Sequence, residues 1–244
     1  MAEQEIAKHG KQVIRLMTSK EHGIGHKLRE IAIEFATILF AVLLSIWLHG
    51  WSEHRHQQHE VRTFLAGLKQ DLLGDIREID GLTTDYKRFD ANFRYLAALE
   101  PGKMPDEKTF GPAYQFMDAN RYMLPTKSRF DGFMMSGKLT NIEDQELLSG
   151  ILVLYQSVLP QVQTSEGGWA TRQRKLRDYR DEGLERGDAA DYFRLLTTSK
   201  GKRLLNQMLT TGQHYDRYRM YASQAREVIR MIDAYPGMAD QGHR

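Results

Sequence analysis

The sequence contains no cysteine, and this absence removes several kinds of site at once. Disulfides, thiolate metal centres and a cysteine nucleophile are all excluded. The chain also has almost no excess charge of one sign. Its 34 lysine and arginine residues nearly balance 32 aspartate and glutamate residues and leave a formal net charge of +2. So weak a field gives no indication of a nucleic-acid partner or of a strongly acidic one.

Proline is scarce as well, with six residues in the chain and none before Pro101. A helix that begins early in the sequence therefore meets no proline over a long stretch. The chain also lacks the alternating apolar pattern of strands, whereas apolar residues recur in steps of three and four over much of its length. These features predict an all-α protein.

Motifs that would indicate catalysis are missing. The sequence has no serine-nucleophile elbow, no zinc-protease motif, no dinucleotide fingerprint and no pair of carboxylates in an evident pocket. We therefore expect a protein that is not an enzyme and that carries no cofactor.

What the sequence does contain is one long apolar run, IAIEFATILFAVLLSIWL, at residues 31–48. As a helix it would be about 27 Å long, close to the hydrocarbon thickness of a bilayer. A buried core helix is usually shorter or apolar on one side only. A cleaved signal peptide would have a shorter polar leader and a small-residue cleavage site after the run. We predict a transmembrane helix, with Trp47 and Trp51 as anchors at the membrane interface.

Lysine and arginine are distributed unevenly around this span. Six precede it, namely Lys8, Lys11, Arg15, Lys20, Lys27 and Arg29. A comparable window after it holds three, namely Arg55, Arg62 and Lys69. Because positive charge is enriched on the cytoplasmic side of membrane proteins, the asymmetry predicts a cytoplasmic N-terminus and an extracytoplasmic C-terminal part.

Beyond the span, the apolar pattern continues to about Leu99 and predicts that the membrane helix extends outward as a stalk. The predicted organisation has four parts. They are a cytoplasmic amphipathic segment at residues 1–30, with a helix over 1–18 and a turn at 21–25, the transmembrane helix at 31–48, a periplasmic helical bundle with its stalk at 49–235, and a flexible tail at 236–244.

Within the bundle, breakers and periodicity predict the following elements. They are a connector at 101–112, short helices at 113–121 and 126–135, a helix capped by Asn141 that kinks at Pro160 and is interrupted at 167–168, a short helix at 187–196, and a last helix at 202–234. Asn141 is predicted as the cap because Asp144 stands three positions later, which is a weak form of the capping box.

Three stretches resemble a family of bacterial single-span membrane proteins known only as a domain of unknown function. Around the span, Glu34, the apolar run and residues 51–55 resemble the pattern G-E-(apolar run)-N-N-W-N-E-x-R. The other matches follow an S-G-K-L-x-x-I-x-(D/N)-x-x-L pattern and comprise Ser136, Gly137, Lys138, Leu139, Ile142, Leu147 and Tyr155. The resemblance implies a bacterial inner-membrane location, one span and a helical domain. It implies no particular activity.

Inside the span, Glu34, Thr37, Ala41 and Ser45 share one face of the helix at steps of three, four and four. Three of them are small and two carry hydroxyls, which is the composition of helix-contact surfaces in membranes. A proton or ion pathway through Glu34 is the alternative, but a single span offers no other polar residue for it. The pattern favours a contact face for another helix.

A second stripe follows the span, where His49, Glu53, His56 and Glu60 stand at i, i+4, i+7 and i+11. Two histidines and two glutamates are suitable ligands for zinc or a similar ion. One helix cannot place all four around a single ion, although copies in an oligomer could share them. A wet interfacial surface is the alternative interpretation.

The stretch from Gly132 to Leu139 matches all but the last position of a phosphate-loop pattern. Leu139 replaces the hydroxyl residue that would bind magnesium, and no strand is predicted before the stretch. We therefore interpret it as helix packing, with Gly137 as a left-handed helix terminus.

These observations predict a single-pass membrane protein that serves as a structural or accessory subunit. Its expected partners are the lipid bilayer and either further copies of itself or a larger membrane complex. We expect no nucleic-acid partner. The alternative is an extracytoplasmic sensor that binds a ligand and signals through its stalk and span to a partner.

Overall fold

The computed structural model describes residues 24–238, with side chains from residue 29 onward. It is 82% helical, and the described residues contain no strand. The predicted all-α fold, with one long apolar helix near the N-terminus followed by a helical region, is confirmed. The predicted helix at 1–18 and the tail beyond residue 238 lie outside the described residues.

The described residues contain the following α-helices, in chain order. They are α1 (Ile24–Ala98), α2 (Glu107–Gln115), α3 (Ser128–Met135), α4 (Gln145–Val153), α5 (Leu159–Gly183), α6 (Ala189–Leu196), α7 (Ser199–Gln207) and α8 (Gly212–Ala234). Short 3-10 helices cover Phe116–Asp118 and Lys138–Asn141, and a π turn, Leu154–Val158, joins α4 to α5.

The chain divides into two compact units, with the boundary between Gln57 and Gln58. In the first unit, α1 includes the apolar run and starts at Ile24, inside the turn predicted for 21–25. In the second unit, α1 buries the face predicted from the three-and-four spacing. That face includes Val61, Leu65, Leu68, Leu72, Ile79, Tyr86, Phe93 and Leu96.

Aromatic rings pack around Trp169 in the core of the second unit. Trp169 is fully buried on α5, and its ring centroid lies 5.4 Å from that of Tyr86 and 5.7 Å from that of Phe89. The indole N–H donates to the carbonyl of Met208 at 3.1 Å. Because large aromatic side chains bury the most apolar area, this group is a major source of the bundle's stability.

A connector and a helix occur in this region, but the bounds predicted for them, 101–112 and 113–121, are wrong. Helix α2 starts earlier, because Asp106 is its N-cap and accepts from the backbone N–H of Thr109 at 3.1 Å. Pro112 lies inside α2 rather than before it. After the 3-10 turn, residues 119–127 are non-helical, and we call them the connecting segment.

The predicted cap of α4 is also wrong, since Asn141 is the last residue of a 3-10 helix. Asp144 is the N-cap instead, and one of its carboxylate oxygens accepts from the backbone N–H groups of Glu146 and Leu147 at 3.0 Å. A carboxylate at this position satisfies N–H groups that the first turn of a helix leaves free.

The kink predicted at Pro160 stays a prediction, and the chain forms the π turn just before this residue. Pro160 has no N–H, so the carbonyl four residues earlier would lose its α-helical donor. The chain widens just before the proline, and Leu159 donates to the carbonyl of Leu154, five residues back. The interruption predicted at Gly167–Gly168 is wrong, because α5 is continuous from Leu159 to Gly183.

The last predicted helix, at 202–234, is two helices. Helix α7 ends at Gln207, and Thr211 caps α8 by accepting from the backbone N–H of His214 at 3.3 Å. Between them the N–H of Thr210 donates to the carboxylate of Asp90 on α1 at 2.7 Å. Side chains of other helices therefore stabilise this break. The short helix predicted at 187–196 is confirmed, with Asp188 as its cap.

Candidate functional site

The apolar run of α1 is the first functional feature, and it is uncovered. Its large apolar side chains are 40–66% exposed, and the described chain buries no part of the run. An 18-residue window there has a mean hydropathy of 2.4, which makes α1 long and apolar enough to cross a membrane. Trp47 and Trp51 are exposed at its end, and the Arg55 guanidinium lies 4.8 Å from the Trp51 ring centroid.

The predicted contact face within the run, Glu34, Thr37, Ala41 and Ser45, is exposed along its whole length. The Thr37 hydroxyl donates to the carbonyl of Ile33 at 2.8 Å, so this hydroxyl is satisfied within its own helix. Glu34 is the one ionisable group in the middle of apolar neighbours. Its role as part of a contact face stays a prediction.

The predicted metal stripe lies entirely on α1. Glu53 accepts from the Gln57 side chain at 3.0 Å, and Glu60 accepts from Lys138 at 2.7 Å. Within the described part of the chain, no three histidine, aspartate or glutamate side chains lie close enough together to hold a metal ion. A site in which copies of the chain share His49, Glu53, His56 and Glu60 stays a prediction.

The motif Ser136–Leu139 forms the joint after α3. The Ser136 hydroxyl donates to the carbonyl of Phe133 at 2.8 Å, and Gly137 has the left-handed φ of 72° that terminates the helix. Lys138 pairs with Glu60 of α1, and Leu139 is buried in the core. Because α3 includes Gly132 to Met135, the extended loop of a phosphate site is not formed there.

An open groove of about 400 Å³ lies beside this joint, between α1 and α3. Phe64 and Phe133 are stacked in it, with ring centroids 4.0 Å apart. Its two long cations are paired with carboxylates of α1, since Arg129 donates to Asp71 at 2.9 Å and Lys138 to Glu60. The groove therefore presents an aromatic surface with balanced charge.

A buried polar network was missed by the sequence analysis. Glu166 of α5 accepts from the backbone N–H of Met123 at 2.8 Å and from the Tyr218 hydroxyl at 2.6 Å. Asp75 of α1 accepts from the backbone N–H of Thr126 at 3.1 Å and from the Tyr221 hydroxyl at 2.6 Å. Both carboxylates are at least 95% buried.

Three other side chains also form hydrogen bonds with the backbone of the connecting segment. Tyr86 donates to the carbonyl of Arg121 at 2.9 Å, Gln173 donates to the carbonyl of Ala119 at 3.0 Å, and Glu78 accepts from the N–H of Leu124 at 3.2 Å. A non-helical backbone packed against helices needs side-chain partners, because the helix backbones are already paired. The network therefore serves the fold by fixing the connecting segment.

The electrostatics of this network follow from burial. Burial raises the pKa of Glu166, although the hydrogen bonds from Tyr218 and from the backbone of Met123 lower it in part. Burial and the neighbouring Asp75 raise the pKa of Tyr221 well above its ordinary range, so its hydroxyl remains a donor.

His214, at the start of α8, is a buried titratable group of the core. It is 2% exposed, and its ring centroid lies 4.5 Å from that of Tyr86 and 5.0 Å from that of Tyr218. Burial lowers the pKa of His214 to about 4, and the charges of Arg172 and Arg217 act in the same direction. The backbone of Ser165 and the carboxylate of Asp90 oppose them. The imidazole is therefore neutral at pH 7.

The low pKa of His214 predicts that the protein loses stability at acid pH. The folded pKa of about 4 is below the ordinary value of 6.5, so the folded state binds fewer protons between these values. Stability is retained above pH 6.5 and falls as the pH drops towards 4, by about 3 kcal/mol for a difference of this size. We expect His214→Phe to lose less stability than the wild type between pH 7 and pH 4.5 in urea unfolding.

His59→Phe, a change at an exposed histidine, serves as the control and should keep the wild-type pH dependence. An unchanged acid sensitivity in His214→Phe would show that carboxylates alone cause it.

Comparison of this chain with family models, with curated proteins and with solved structures finds no match.

Proposed function

We propose that this protein is a non-enzymatic, single-pass protein of a bacterial inner membrane. Residues 31–48 span the bilayer, the N-terminus is cytoplasmic, and the helical bundle is a periplasmic domain that acts as a structural or accessory subunit. The observation that carries the proposal is the uncovered apolar run of α1. A helix that is apolar around nearly its whole circumference needs an apolar environment along its length, and a bilayer supplies one.

The bundle supports a structural role. Its most deeply buried carboxylates hold backbone groups in place: Asp75 and Glu166 bind the connecting segment, and Asp191 accepts from the N–H groups of Glu185 and Arg186 at 2.6 and 2.9 Å. Groups used in this way rigidify a fold and do not reach a substrate.

The position of Glu34 inside the apolar run supports association with other membrane helices. A carboxylate inside a span costs about 3 kcal/mol or more when it faces lipid, and such residues are found facing protein. On the same face, Thr37, Ala41 and Ser45 are small enough to let another backbone approach. We therefore propose that the protein works as an oligomer or as part of a larger membrane complex, and that this face is its contact.

We expect Ala41→Leu and Glu34→Leu to weaken association in a membrane two-hybrid assay of the full chain. Model hydrogen bonds between membrane helices are worth about 1–2 kcal/mol, which corresponds to a severalfold to more than tenfold change in the association constant. Leu39→Ala, on another side of the helix, is the matched control and should have little effect. Association that survives both face substitutions, in the full chain and in the isolated span, would contradict the proposed contact.

The nature of the partner is tested by purification in a mild detergent. A stoichiometric complex with another membrane protein, or a discrete oligomer, is the result we expect. A lone monomer at all protein concentrations would contradict a role in assembly.

A further inference from the structure

A second cavity, of about 450 Å³, lies between α1 and the beginning of α8, within the second unit. It is more enclosed and more polar than the aromatic groove. The residues that line it are Thr83, Lys87, Asp90, Arg94, Gly212, Tyr215 and Arg219. Three of these seven are cationic and one, Asp90, is anionic, so positive charge is in excess along the lining.

Lys87 and Arg94 are the two cations that α1 contributes. They are seven residues apart and therefore lie on one face of the helix. Among the described residues, neither forms a salt bridge or a side-chain hydrogen bond, whereas other long cations of α1, such as Lys69, pair with carboxylates. Arg219 pairs with Asp216 on its own helix and still lines the cavity.

Asp90 could be taken as the counter-ion of these cations, but its hydrogen bonds are directed elsewhere. It is 5% exposed, and its two carboxylate oxygens accept from the N–H of Thr210 at 2.7 Å and from the Tyr215 hydroxyl at 3.1 Å. Burial and Asp90 raise the pKa of Tyr215 to about 12, so this partner is a neutral hydroxyl. Asp90 therefore joins α1 to the α7–α8 break, and its carboxylate offsets only one of the three positive charges that line the cavity.

The cavity has room for a ligand beside these cations. A side-chain carbon placed on Gly212 would meet no atom within 4 Å, so the backbone there faces open space. Gly212 is the first residue of α8, and the first turn of a 23-residue helix adds partial positive charge to that of the side chains. Positive charge from two helices therefore converges on an open space of small-molecule size.

We propose that this cavity binds a soluble oxyanion of the phosphate type, either inorganic phosphate or the phosphate group of a small metabolite. Lys87 and Arg94 supply the charge, and Thr83 adds a hydroxyl. Arginine and lysine are the usual ligands of phosphate oxygens, because both donate charge-assisted hydrogen bonds. The proposal does not depend on the membrane role above, since every residue involved belongs to the bundle.

The experiment is calorimetric titration of the full chain in detergent with inorganic phosphate and with pyrophosphate, at constant ionic strength. We expect saturable binding to the wild type, tighter for pyrophosphate because it carries more charge. The double variant Lys87→Gln, Arg94→Gln should bind at least tenfold more weakly. Lys175→Gln, an exposed cation outside the cavity, is the matched control and should bind as the wild type does.

Both substituted residues of the double variant are exposed, so its helicity by circular dichroism should equal that of the wild type. Absence of saturable binding of both anions to the wild type would overturn the proposal. So would equal binding by the double variant. Binding of a short-chain phosphatidic acid without binding of phosphate or pyrophosphate would overturn the soluble ligand class.

Discussion

Replacing Leu39 and Leu43 together with aspartate is expected to release the protein from the membrane. Both residues lie near the middle of the apolar run, and they are 47% and 56% exposed. On insertion scales an aspartate at the centre of a span costs about 2.5–3.5 kcal/mol, and each leucine contributes about −0.5 kcal/mol. The double change therefore disfavours insertion by about 6–8 kcal/mol, which no single surface substitution in the bundle approaches.

The measurement is extraction of isolated membranes with alkaline carbonate, followed by quantification of the protein in the pellet. Leu39→Ala with Leu43→Ala is the control, because it shortens the same side chains without adding charge and should stay in the membrane. A double aspartate variant that resists extraction as well as the wild type does would show that residues 31–48 are not held by lipid.

The second large effect is expected for Asp75→Ala in the bundle. Removal of this carboxylate leaves the buried hydroxyl of Tyr221 and the partly buried N–H of Thr126 without their acceptor. A buried donor without an acceptor costs about 1–3 kcal/mol, and the partly buried N–H adds less, so the free energy of unfolding should fall by about 2–4 kcal/mol. Urea unfolding followed by circular dichroism measures this change, and the connecting segment should also become sensitive to limited proteolysis.

Asp80→Ala is the matched control, since Asp80 is exposed on the same helix. Tyr221→Phe should cost less in the Asp75→Ala background than in the wild type, because the hydroxyl has then already lost its acceptor. Equal losses for Asp75→Ala and Asp80→Ala would mean that the buried carboxylate does not hold the connecting segment.

Helical periodicity explains why most of the fold could be predicted. The buried face of α1 follows steps of three and four, and the glycine at 137 has the left-handed conformation that only glycine adopts without strain. Gly167 and Gly168 were expected to interrupt a helix, but each costs only about 1 kcal/mol of helix propensity. The burial of Val162 and Trp169 on either side outweighs that cost.

The breaks in the helices could not be predicted, because their causes are distant in sequence. The connecting segment is non-helical where Glu166 and Gln173, more than 40 residues later, supply its partners. The break before α8 depends on Asp90, which is 120 residues from Thr210. Local propensity contains no information about such contacts.

A partial signal for the buried network was nevertheless present. Asp75 stands three residues after Leu72 and four before Ile79, and therefore on the apolar face of α1. Glu166 stands four residues after Val162 and three before Trp169 in the same way. A carboxylate on an apolar face indicates a buried, hydrogen-bonded group, although the sequence does not identify its partner. The cationic cavity gave no signal, since it forms only where α1 and α8 meet.

We propose that residues 31–48 cross the bilayer and separate a cytoplasmic N-terminus from the bundle. The chain has no native cysteine, so single cysteines introduced at Gly10 and at Lys175 report on one position each. The most direct measurement is labelling of these two variants with a membrane-impermeant thiol reagent on spheroplasts, before and after permeabilisation. We expect Lys175→Cys to be labelled on intact spheroplasts and Gly10→Cys only after permeabilisation. Labelling of both positions from the same side would contradict it.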